Sequence, residues 1–107
     1  MLRKDKNMKL KTVHFSDVIS LNNSTISHDA AEYDPATDTI SIDIDYIRSY
    51  FSCWKRQVIA IIVHELTHWY QWHFVYQHDT ELWNDDTDYQ ETQADHMQDF
   101  VLRVLLV

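Results

Sequence analysis

The clearest hydrophobic pattern in the chain is a strict alternation at residues 39–45. Ile40, Ile42 and Ile44 point one way, while Ser41, Asp43 and Asp45 point the other. That period of two predicts a strand with one wet face. A turn signal, Asp34-Pro35-Ala36-Thr37-Asp38, precedes it. Residues 26–33 are then its expected antiparallel partner. Residues 11–15 offer a third strand, with a turn at Asn22-Asn23-Ser24. Residues 46–53 read as a short helix. Over residues 55–74 no breaker occurs, and Val58, Ile59, Ile61, Ile62, Leu66, Trp69 and Tyr70 make a helix that is apolar almost all round in its first half. Such a helix belongs in the centre of a fold. Residues 77–88 are polar and acidic and read as a loop, with Asp88 as N-cap of a last helix over 89–105. Strands precede helices, so the predicted class is α+β, a small antiparallel or mixed sheet packed on two helices.

Length and composition narrow the function classes. The chain has 107 residues, enough for one domain. We assign it to residues 11–107, with residues 1–10 as a basic, flexible tail. The longest aliphatic run, Val58 to Val63, is too short to span a bilayer, and the N-terminus has no apolar stretch of the signal-peptide kind. The single cysteine, Cys53, excludes an internal disulfide framework and any multi-cysteine zinc ribbon, and is expected to be a small buried filler. Glycine is absent. That removes the phosphate-binding loops, which need glycine where backbone approaches phosphate. The net charge is -8, although Arg3, Lys4, Lys6, Lys9 and Lys11 against Asp5 make residues 1–11 locally +4. The remaining acidic body argues against nucleic acid and anionic membrane as partners, and a cytoplasmic protein is expected.

The candidate chemistry lies in the central helix. His64-Glu65-Leu66-Thr67-His68 is an H-E-x-x-H string. Residues four apart share a helix face, so the two imidazoles can converge on one Zn2+. Glu65 then stands beside them, within reach of a water and away from direct ligation. A third ligand is required. His73 falls about 180° round the helix from His64. Glu91, in Glu91-Thr92-Gln93-Ala94-Asp95, is the better candidate. It also occupies the capping-box position relative to Asp88, and it cannot both cap and ligate. His78 and His96 stand next in line. Asp95, four residues after Glu91, can brace a ligand imidazole through its N–H.

His64 to His68 followed by Glu91, Ala94 and Asp95 resembles the gluzincin-type zinc metallopeptidases, with H-E-x-x-H on one helix and E-x-x-A-D on a later one. Over residues 28–105 the chain is most similar to minimal members, the minigluzincins and the ImmA/IrrE-like peptidases. The resemblance implies a minimal zincin fold, a small sheet on two metal-bearing helices. It further implies His64, His68 and Glu91 as zinc ligands, Glu65 as general base, and Asp95 bonded to His64. Met97 stands where an aromatic is usual and Gln98 where a small residue is usual. No motif supplies a transition-state stabiliser; Tyr89, Tyr33 and His96 are candidates.

The expected function is therefore zinc-dependent hydrolysis of a peptide or protein substrate lying along the sheet edge at residues 39–45. Basic substrates would be favoured by the acidic rim. Two other classes stay open: a catalytically idle, zinc-stabilised binding module of anti-repressor or inhibitor type, and a metal-independent helical partner protein. Metal content separates the last from the others, and Glu65→Gln separates the first two.

Overall fold

A computed structural model describes residues 19–21 and 30–105. Three short strands come first: β1 (Ile19–Leu21), β2 (Ala31–Asp34) and β3 (Thr39–Ile42). Four helices follow: α1 (Ile44–Tyr50), α2 (Trp54–Tyr70), α3 (Thr80–Asp85) and α4 (Thr87–Phe100). The class is α+β, as the order of patterns predicts. Both α2 and α4 run on into a wider π-helical turn, at Gln71–Val75 and Val101–Leu105. The expected tail at 1–10, the strand at 11–15, the turn at 22–24 and the first residues of the strand at 26–33 lie outside the described residues. No helix among the described residues is long and apolar enough to cross a membrane.

In the sheet, β3 is central. It pairs antiparallel with β2, Tyr33 opposite Ile40, and parallel with β1, Ile19 opposite Ile40. This corrects the expectation that residues 39–45 form a free edge, because strands flank β3 on both sides. Among the described residues, β2 is the edge strand that packs against α2. The alternation also stops early. Ile40 and Ile42 are fully buried, but Asp43 caps the next helix by accepting a hydrogen bond from the Tyr46 N–H at 3.0 Å, so Ile44 enters α1. A local cap wins over a strand pattern only two residues longer.

The core forms where β3 meets α1 and α2. Ile40, Ile42 and Ile47 are sealed from solvent beside Ala31 and Ile61, with Trp54, Val58, Ile62, Leu66 and Trp69 packed around them. Each such aliphatic side chain contributes about 1.5–3 kcal/mol on burial. On the other flank α2 runs alongside α4. Ala60 and Ala94 have no exposed surface, and their small side chains let the two helices approach closely. Two boundaries differ from expectation. Residues 80–85 are helix, because the Asp79 carboxylate caps them by accepting from the Leu82 N–H at 3.1 Å. And α4 begins at Thr87 after Asp86, leaving Asp88 inside the first turn, where its charge still favours the helix N-terminus. Cys53 is exposed, at the start of α2, and is no core filler.

Candidate metal centre

One face of α2 carries Gln57, Ile61, His64, Glu65 and His68, and forms the floor of a cleft of about 630 Å³. Residues 30–33, at and before β2, form one wall, and Thr87, Gln90, Glu91 and Gln98 of α4 form the other. The i, i+4 spacing brings His64 Nε2 and His68 Nε2 to 3.3 Å. Glu91 reaches across from α4 and straddles both, Oε1 at 3.2 Å from His64 Nε2 and Oε2 at 2.8 Å from His68 Nε2. Glu91 therefore faces the histidines and does not close a capping box with Asp88.

The tautomer of His68 follows from its buried neighbour. Gln71 has no exposed surface. Its amide nitrogen donates to the Gln90 carbonyl at 3.2 Å and to Gln93 Oε1 at 2.7 Å. Both N–H bonds are thereby used on acceptors, so the amide oxygen is the end that meets His68 Nδ1, at 3.0 Å. Nδ1 must carry the proton, and Nε2 presents a lone pair. That lone pair then faces a carboxylate oxygen at 2.8 Å: two acceptors that need a cation between them. A proton could serve, but burial pulls the pKa of His68 below its ordinary value, although Gln71 and Glu91 oppose the shift. A metal ion fits better. For ligand bonds of ~2.0–2.1 Å, the donors of a tetrahedral zinc stand ~3.3 Å apart. The two nitrogens are 3.3 Å apart, and each lies 3.2 or 2.8 Å from a different oxygen of the Glu91 carboxylate, separations of the size that donors to one ion require. Among the described residues, His64, His68 and Glu91 form the one group arranged to hold a metal in this way.

Glu65 is buried, with its Oε2 4.0 Å from His64 Nε2. It sits beside the ligand atoms without joining them. Asp95 approaches His64 Nδ1 at 3.4 Å, but Nδ1 is buried and makes no directed hydrogen bond. The expected brace is thus adjacent but unformed; the Asp95 side chain remains largely exposed. Tyr89 points away from the cleft: it lies about 200° round α4 from Thr87 and is 57% exposed. Nor is His96 part of the cleft wall. Tyr33 does line it, yet its hydroxyl donates to Asp38 Oδ1 at 2.5 Å. Burial and the neighbouring Asp38 carboxylate raise the Tyr33 pKa well above its ordinary value.

Sequence reading missed Gln71 and Trp83. A glutamine three residues past His68, on a helix otherwise apolar at that depth, was the available signal for the first. Trp83 lay within a segment taken for loop. It stands edge-on to Tyr33, His68, Trp72 and Tyr76, with ring centroids 5.3–6.4 Å away, and fills the His68 end of the cleft. Compared with protein-family models, curated proteins and solved structures, the chain matches none of them.

Proposed function

We propose that the protein is a zinc-dependent metallopeptidase. The observation that carries the reading is the meeting of His64 Nε2, His68 Nε2 and the Glu91 carboxylate at one point on the floor of an open cleft, with the Glu65 carboxylate alongside. Zinc held by these groups would keep a fourth position for water, lower that water's pKa toward ~7 and polarise a substrate carbonyl. Glu65 takes a proton as the water oxygen attacks the carbonyl carbon. It returns that proton to the amine nitrogen as the C–N bond breaks. The β2 edge supplies N–H and C=O groups along which an extended peptide can align. An acidic lining and rim, with Glu32, Glu65 and Glu91 in the cleft and no lysine or arginine among the described residues lining it, disfavours acidic peptides.

The idle, zinc-stabilised module is the second reading. It is favoured by one observation: the Tyr33 hydroxyl is engaged by Asp38 and is not offered to a developing oxyanion. The test is Glu65→Gln. It is expected to bind zinc at the wild-type ratio and to lose peptide hydrolysis by about 10²–10⁴-fold, measured by metal analysis and peptide cleavage on one preparation. Retention of the full biological effect by that variant would favour the idle module.

A further inference from the structure

The two ends of the cleft differ. The His68 end is filled by Trp83. The opposite end, beside Gln57, opens onto Tyr46, Tyr50 and Phe51. Tyr46 and Tyr50, one turn apart on α1, stack at 4.8 Å with their planes 28° apart. Tyr50 is 70% exposed and Phe51 43%. Large aromatic faces left in water next to a groove mark a place where a ligand completes the packing.

Building on the hydrolytic reading, we infer that this aromatic platform is a specificity subsite, which selects peptides carrying a large aromatic or aliphatic side chain about three residues from the bond cleaved. The spacing comes from the scaffold. Gln57 and His64 are seven residues apart on one helix, a rise of about 10 Å. An extended peptide lying on the β2 edge advances ~3.3 Å per residue. The third residue from the reacting carbonyl therefore arrives over the platform. Ala30 and Ala31 line the cleft as well, and their small side chains take up little of it. Glu32 lies on the same strand and no cationic side chain among the described residues lines the cleft, so an acidic residue is not accommodated at this distance.

The test uses the full chain loaded with zinc, in two arms. Wild type is incubated with a mixture of short random peptides and the cleaved bonds are read by mass spectrometry. Immobilised Glu65→Gln is used to enrich binders from the same mixture. Phe, Tyr, Trp or Leu should be enriched at one position three or four residues from the cleaved bond, and at one position in the retained peptides. Tyr50→Ala, whose side chain is already mostly in water, should reduce the enrichment several-fold in both arms. Tyr50→Ala with Phe51→Ala should abolish it, with zinc content unchanged. Cleavage without side-chain preference, or with a preference that survives both substitutions, would overturn the subsite and leave the hydrolytic reading standing. Aromatic enrichment on Glu65→Gln without cleavage by wild type would overturn hydrolysis and keep the subsite. Failure of both arms rejects both.

Discussion

Among the described residues, two clusters combine two histidines with a carboxylate, and one of them gathers its donor atoms as a metal would require. In the first, His64, His68 and Glu91 aim their donor atoms at a common point. In the second, the bonds run in series. Tyr33 donates to Asp38, Asp38 Oδ1 lies 2.7 Å from His73 Nε2, and His73 Nδ1 lies 2.8 Å from His78 Nε2. His73 spends both ring nitrogens, one on each neighbour, so three lone pairs never meet. The second cluster fastens backbone instead. Asp38 and His78 have φ of 52° and 66°, left-handed conformations that a glycine would adopt at little cost and that this glycine-free chain must hold with side chains. Residue types are therefore a poor guide by themselves. The difference is that the first cluster places two histidines four apart on one helix and its acid on the facing helix, whereas the second strings its members along the hairpin turn, the π-helical turn after α2 and the loop that follows.

Removing the carboxylate from each cluster separates the two most clearly. Glu91→Ala should abolish stoichiometric zinc binding, while Asp38→Ala should leave it intact, with the metal ratio measured on both variants after dialysis. Equal loss would erase the distinction, and loss only in Asp38→Ala would invert the assignment. A smaller effect is expected at Gln71. Gln71→Leu removes the acceptor that fixes the His68 tautomer, and zinc affinity should fall about 10–100-fold. In the metal-free protein, ¹⁵N shifts of His68 should move from a pure Nδ1–H form to a mixture; unchanged shifts would show that the tautomer is set elsewhere. The smallest effect concerns acid stability. Burial pushes the Asp38 carboxyl pKa up, but hydrogen bonds from Tyr33 and His73 outweigh it and hold the pKa below the ordinary value. A depressed carboxylate stabilises the fold above its unfolded pKa, and that contribution fades as pH falls below about 4 through the folded value. Asp38→Asn should therefore lower stability by about 1 kcal/mol at neutral pH, a modest figure because the side chain is half exposed. It should also flatten the acid limb of a denaturation series, and a parallel limb would remove Asp38 from the account.

Much of the candidate metal centre could be read from spacing. His64 and His68 had to share a face because an α-helix repeats every 3.6 residues, and Glu65 had to fall beside them. Glu91 was less determined, since capping and ligation compete for one carboxylate; the packing of α4 on α2 through Ala60 and Ala94 turned it inward. Asp95 shows the limit of such reasoning. It shares a face with Glu91, yet its approach to His64 Nδ1 stops at 3.4 Å without a directed bond.

Local sequence was enough for the α+β order, the central helix, the buried pair Ile40 and Ile42, and the shared face of the two imidazoles. Each follows from a periodicity or a local cap that acts within a few residues. Packing between elements set the strand order, the burial of Gln71, the place of Trp83 in the cleft, and the joining of His73 and His78 in a line. Those outcomes depend on contacts between separate elements, such as Gln71 with Gln90, 19 residues on, and Asp38 with His73, 35 residues on. No local pattern encodes the distance at which two elements finally pack.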